Sequence, residues 1–335
     1  MKRSTCVLEE HKYGKESLMT RTPTLILAAV LLLLLICGFH GQPVAASDVT
    51  RFFFSGDGQI NLFGKKSGES FIGQYRQGQA YDPQAMAAIN RVFGAPNIQG
   101  QNELSLRLIE FLDLLQDRLN PGGRITITSG YRSPTYNTSL RDQGKLAAKA
   151  SLHQYGMAAD LIMEGVPAKR VWEYVKALGF GGTGYYHGQT VHIDVGPARS
   201  WDEKTSGVGT GISEDNKLIG IVTDFDRYRA GEAITLRFTR MTAFPIGVTP
   251  QFNLIRRSHK GKSEPTVIRF VPSFAVATEG ECPRFFDIDQ MAHIRWKIPS
   301  NLNPGRYAIR TRFCEHRWNA MPRDITTPEF EINRP

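Results

Sequence analysis

The chain has 335 residues, 41% of them apolar and 22% charged. That length exceeds one ordinary domain and suits two, and that balance excludes a disordered chain. The formal charge of +9 favours anionic partners such as nucleic acid, anionic lipid or acidic wall polymers, yet no lysine/arginine block or aromatic-basic motif points to nucleic acid.

In chain order, Leu25 to Phe39 is an almost unbroken apolar run, preceded by Lys12, Lys15 and Arg21 and followed by Val44, Ala45 and Ala46. It falls short of the about 20 residues that a membrane span needs. A basic flank, an apolar middle and a small-residue site before Ser47 have the order of a secretory signal peptide over residues 1–46, with export to the periplasm or cell envelope as the consequence. Met19 serves equally well as the start. An uncleaved signal would anchor the chain in the inner membrane instead. Ile36 before Cys37 is too large for a good lipoprotein site.

Gln59–Phe63 and Ser70–Tyr75 read as a hairpin between turn glycines. Asp82 is a candidate N-cap, with Pro83 at the first position of a helix reaching about Val92. A second helix is expected over Glu103 to Leu119, with Leu108, Phe111, Leu112 and Leu115 on one face. Arg124–Thr128 alternates like a half-buried strand. A third helix is expected over Pro167–Leu178, then short strands near Gly184–Tyr186 and Thr190–Val195.

Residues 203–215 are polar and glycine-rich and read as a linker between a first domain (47–202) and a second (216–335). Beyond it, Ala233–Phe238, Gln251–Ile255, Thr266–Phe270, Ala292–Ile298, Tyr307–Arg312 and Glu329–Ile332 are strand-like. That texture suggests an all-β sandwich of immunoglobulin-like type. Cleavage of the signal would leave only Cys282 and Cys314. In an oxidising compartment these suggest one disulfide closing a loop of about 30 residues, and otherwise two buried thiols.

All three histidines of the first domain fall between His153 and His192. Asp160 opens the apolar stretch Leu161-Ile162-Met163, and a carboxylate at the mouth of a buried strand needs a partner. In Thr190-Val191-His192-Ile193-Asp194-Val195, strand alternation sends His192 and Asp194 to one face and the aliphatic residues to the other. Two histidines and a carboxylate form a known ligand set for catalytic zinc. The same residues also suit a hydrogen-bond network without metal.

The pattern Ser151-x-His153-x-x-Gly156-x-Ala158-x-Asp160, followed by Val191-His192-x-Asp194, resembles the D-Ala-D-Ala metallopeptidases, in the superfamily of lysostaphin-type endopeptidases and the hedgehog domain. Ile125 to Pro134 (ITITSGYRSP), Asn137 and Gly181 to Tyr186 (GGTGYY) are similar to its murein-endopeptidase branch. The likeness spans about Arg51 to Trp201. It implies an α+β fold, a zinc peptidase domain with a small antiparallel sheet packed by helices.

By position the resemblance implies one Zn2+ held by His153, Asp160 and His192. It implies that Arg132 contacts substrate and stabilises charge at the scissile carbonyl. Tyr131 and Ser151 would shape the substrate loop. Many relatives carry an acid three residues before the last zinc histidine, where this chain has Gln189. The general base is therefore expected elsewhere: Asp194 first, His187 second. The implied activity is hydrolysis of peptidoglycan cross-links. Two alternatives are a D-alanyl-D-alanine carboxypeptidase and, in another class, a non-catalytic metal-bearing wall-binding module.

Overall fold

The computed structural model describes residues 50–98, 101–102, 104–145, 147–207, 210–257, 267–274, 278–279, 282–290 and 294–334. The expected signal peptide and the predicted element starts at Glu103, Thr266 and Ala292 lie outside the described residues. Val49–Pro335 forms one compact unit. It is mixed α/β, with few helices and many strands. Among the described residues no helix is long and apolar enough to cross a membrane.

The hairpin forms as β1 (Gln59–Gly64) and β2 (Ser70–Gln74), with Ile60 and Leu62 facing the core. Helix α1 (Pro83–Phe93) starts where its capping chemistry puts it. The Asp82 carboxylate accepts from the Gln84 N–H at 2.8 Å, and Gly94 closes the helix in the left-handed region. Helix α2 (Leu106–Leu119) buries Leu108, Phe111, Leu112 and Leu115 completely. Strand β3 (Ile125–Ser129) and helix α3 (Pro134–Asp142) follow. Helix α3 has no counterpart among the predicted elements, because Asn137 is its only buried residue and it carries no apolar stripe. Strand β4 (Ala158–Met163), helix α4 (Ala168–Leu178) and strands β5 (Gly182–Tyr185), β6 (Val191–Asp194) and β7 (Arg199–Asp202) complete the first region.

The sheet runs β2-β1-β3-β4-β6-β5-β7. It is larger than the small antiparallel sheet expected, and it is mixed. The chain reaches β3 only after α1 and α2, so β1 and β3 lie parallel, and β7 returns parallel to β5. At its centre β4 and β6 are antiparallel, with His192 directly opposite Asp160. Val191 and Ile193 fill the core on the other face.

Among the described residues no α-helix follows Leu178. A four-stranded sheet (Gly220–Thr223, Ala233–Thr239, Ile294–Lys297, Ser273–Phe274) and a larger one centred on Gly305–Arg312 share a second aliphatic-aromatic core. Cys282 and Cys314 form a disulfide.

One polar cluster lies against α2. Asp113 is fully buried, and its Oδ2 accepts from Gly58 N at 2.9 Å and from the Tyr75 hydroxyl at 2.8 Å. Burial first, and then the Asp117 and Asp57 carboxylates, push Asp113 up to about 7. The unfolded chain releases this proton near pH 4 and the folded chain only near 7, so the folded state binds more protons in between. Stability is therefore expected to fall as pH rises from about 4 to about 7 and to be flat above. Asp113→Asn should flatten that slope in urea melts recorded across the range. An unchanged slope would assign it to other groups.

Candidate functional site

Two elements deliver the central residues. His153 lies in a short 3-10 turn, Leu152–Tyr155, closed by Gly156 in the left-handed region at φ 60°. Asp160 and His192 come from β4 and β6. The structure brings together ligand atoms of His153, Asp160 and His192 within 4.8 Å of one another, all three side chains buried.

The nitrogen facing the group is identifiable on each ring. His153 Nδ1 donates to the Gly130 carbonyl at 2.7 Å, which leaves Nε2 facing Asp160 Oδ1 at 3.5 Å. His192 Nδ1 lies 2.9 Å from Asp160 Oδ1, and its Nε2 lies 2.9 Å from Asp194 Oδ2. An Nε2–H donated to Asp194 frees the Nδ1 lone pair. Both rings thus turn a lone pair toward one carboxylate, an arrangement that a divalent cation among them satisfies. The donor set, two imidazoles and a carboxylate, suits zinc.

The local field is strong. Burial would raise the Asp160 carboxyl, but His153 and His192 outweigh it and hold the group well below the usual carboxylate range. Burial holds His153 below the ordinary imidazole range despite Asp160. For His192 burial acts in the same sense, yet the hydrogen bonds that its protonated ring donates to Asp160 and Asp194 prevail and raise it, so a cation at this place would displace the Nδ1 proton.

Arg132 reaches the same carboxylate, its Nη2 donating to Asp160 Oδ2 at 2.7 Å while its Nε donates to Ser129 Oγ at 3.0 Å. It lines the cleft above the group, as does Ser151. Tyr131 packs half-buried against the core beside them. The expected bases sit elsewhere. Asp194 is fully buried on the far side of His192. Its Oδ1 accepts from Gly182 N, Gly196 N and Arg199 Nη1 at 3.1, 2.9 and 3.0 Å, and its Oδ2 from Arg199 Nη2 at 2.6 Å. Burial would raise Asp194, but Arg199 and His192 hold it below the usual range. A carboxylate so supplied with donors is a weak base, and its contacts orient the His192 ring. His187 is exposed, with backbone φ 57°, and its ring lies against Tyr185.

Three neighbours were not singled out from the sequence. The Tyr186 hydroxyl hydrogen-bonds Asp160, and burial with that carboxylate pushes it above the ordinary phenol range. Trp201 lies 5.0 Å from the His192 ring, centroid to centroid. Gly184 makes room for it, since a Cβ there would come within 2.6 Å of the indole. Arg199 holds Asp194. Tyr186 stands within the Gly181-to-Tyr186 signature, a signal that could have marked it. For Arg199 and Trp201, which arrive on β7, the local sequence carries none. A cleft of about 800 Å³ opens over His153, His192, Arg132, Tyr186 and Trp201.

A family model described as "Peptidoglycan L,D-endopeptidase MepK" matches residues 56–201. The chain is 32% identical over 143 residues to the peptidoglycan L,D-endopeptidase MepK of Escherichia coli K12, covering 42% of this chain and 79% of that protein. Similarity at the same level is found to the protein of that name from Shigella flexneri. The probable peptidoglycan L,D-endopeptidase MepK of Haemophilus influenzae is 28% identical over 137 residues, covering 40% of this chain and 74% of that protein.

Proposed function

Because this chain belongs to the peptidoglycan L,D-endopeptidase MepK family, we propose that it is an exported zinc peptidase that hydrolyses L,D peptide cross-links in bacterial peptidoglycan. The observation that carries this reading is the convergence of His153 Nε2, His192 Nδ1 and the Asp160 carboxylate under an open cleft, with the other nitrogen of each ring already committed to Gly130 or Asp194. Those three residues would hold the ion. When bound it supplies Lewis-acid polarisation of the amide and a nucleophilic oxygen at neutral pH.

The protein's own groups position the substrate and meet the charge that develops on it. Arg132 sets a guanidinium at the rim, where it neutralises negative charge developing on the scissile carbonyl oxygen. Tyr186 keeps its proton, because its hydroxyl is pushed upward, and it can donate a hydrogen bond to the same oxygen. Asp194 and Arg199 fix the His192 ring. The Trp201 indole shields one side from water.

This reading assigns 1–46 to a signal peptide that delivers the chain to the periplasm, 47–202 to the peptidase, 203–215 to a connecting segment and 216–335 to an immunoglobulin-like sandwich. Peptidoglycan stem peptides are the partners.

The test is digestion of purified peptidoglycan by the chain from Ser47 onward, with products read by mass spectrometry. Cross-linked dimers should disappear and monomers accumulate. A chelator should stop the reaction and zinc should restore it. Release of terminal D-alanine alone would make the protein a carboxypeptidase. Intact cross-links after exposure to protein carrying one metal per chain would leave a non-catalytic wall-binding module.

A further inference from the structure

The cleft is not built by the first region alone. Its far wall includes Ser213, Glu214, Leu218 and Arg240, beyond the span that the family model matches. Six basic side chains line it against the acidic Glu203 and Glu214. Three of the six have carboxylate partners: Arg132 with Asp160, Lys149 with Glu214 and Arg199 with Asp194. Arg141 and Lys145 are exposed, so water solvates them.

Arg240 belongs to neither group. It is half-buried, and its Nε is sealed from solvent with no hydrogen-bond partner among the described residues. No acidic side chain pairs with it there. Burial first, and then the Arg199 charge, lower its pKa to about 10 against the weaker pull of the Asp194 carboxylate, which makes no ion pair with it. Its backbone is left-handed at φ 60°, a conformation that side-chain-bearing residues rarely adopt. The position is also fixed. The next residue, Met241, donates its N–H to the Tyr155 hydroxyl at 2.9 Å, and Tyr155 shares the turn that carries His153. A strained, unpaired guanidinium held at a set place in a basic cleft is costly in the free protein, and a planar anion relieves that cost.

We propose that Arg240 binds a free carboxylate of the peptide substrate, so that the C-terminal β region forms part of the substrate site rather than a spacer. The inference rests on the peptidase reading. The guanidinium fork matches a carboxylate in two parallel hydrogen bonds. Stem peptides offer this group from two sources, the chain terminus and side-chain carboxyls.

Calorimetry with the full chain from Ser47 tests it. The probes are a stem peptide without cross-link and its forms amidated singly at the terminus or at a side chain. Arg240→Gln is expected to weaken binding of the free-carboxylate peptide about 10- to 100-fold. Amidation of one position should cost wild type as much, and that position identifies the source. The variant and that amidation together should cost no more than either alone. Arg240→Gly also relieves the left-handed backbone, so it is expected to raise the melting temperature while weakening binding equally, a pair of results that a structural role would not produce. Unchanged affinity in both variants, or losses that multiply with every amidation, would overturn the inference. If wild type shows this preference and cuts no cross-link, the peptidase reading fails and the carboxylate site stands. If it cuts cross-links and neither variant loses affinity, the carboxylate site fails and the peptidase reading stands.

Discussion

Replacing Asp160 by Asn is expected to lower cross-link cleavage by on the order of 10³-fold and to leave the protein unable to retain a divalent ion. The expectation follows from how much converges on one carboxylate. Asp160 lies 2.9 Å from His192 Nδ1, 3.5 Å from His153 Nε2 and 2.7 Å from Arg132 Nη2, and it accepts from Tyr186. The amide keeps the shape and loses the charge. A cation then faces two imidazoles and a guanidinium with no anion between them, which is repulsive. Asp194→Asn provides the contrast. It removes an orienting contact to His192 Nε2, and losses of about 10- to 100-fold in metal affinity are typical of such changes. Metal content after dialysis and the rate of dimer loss from peptidoglycan should therefore rank wild type above Asp194→Asn and that above Asp160→Asn. Retention of metal by Asp160→Asn, with cleavage within about tenfold of wild type, would refute the ligand assignment.

Much of this geometry can be read from local pattern. Alternation in β6 separates His192 and Asp194 from Val191 and Ile193, because side chains in a strand must alternate. Asp82, Pro83 and Gly94 bracket α1 because each meets a local backbone demand. What escapes the sequence is decided at long range. No local rule sets Asp160 opposite His192; that register comes from sheet pairing across 32 residues. Helix α3 stays hidden because periodicity detects an apolar stripe, and α3 buries only Asn137. Asp194 looks like a free acid beside a metal until Arg199 and two backbone N–H groups arrive from outside β6. Arg240, at the end of a strand in the second region, gives no sign in sequence that it lines the cleft. The parallel pairs β1/β3 and β5/β7 also depend on where the chain returns, which residue types do not encode.

Asp226→Ala is expected to destabilise the protein by about 3–5 kcal/mol, a drop on the order of 10 °C in melting temperature. Arg107 projects from α2, and its guanidinium meets Asp226 of the second region, with Nε at 3.1 Å and Nη2 at 2.7 Å from Oδ1. Both side chains are less than a tenth exposed. The Arg107 Nη1 donates to the Thr223 carbonyl at 3.1 Å, and Asp226 Oδ2 accepts from Phe53 N at 3.0 Å. Removing the acid leaves a buried cation that keeps one carbonyl hydrogen bond and the face of the Phe52 ring but no paired carboxylate. Removing both partners, as in Arg107→Met with Asp226→Ala, should cost less than the two single losses added together, because no charge is then stranded. The tryptophans allow the two regions to be followed together, with Trp172 and Trp201 in the first and Trp296 and Trp318 in the second. One urea transition is expected in wild type, since Val49–Pro335 is one compact unit. If Asp226→Ala keeps wild-type stability and a single transition, the buried pair contributes nothing net. Coupling between the regions would then rest on the remaining contacts, among them the Arg51–Glu232 ion pair at 2.9 Å and the hydrogen bond from Met241 N to the Tyr155 hydroxyl, and the latter would be what holds Arg240 against the turn that carries His153.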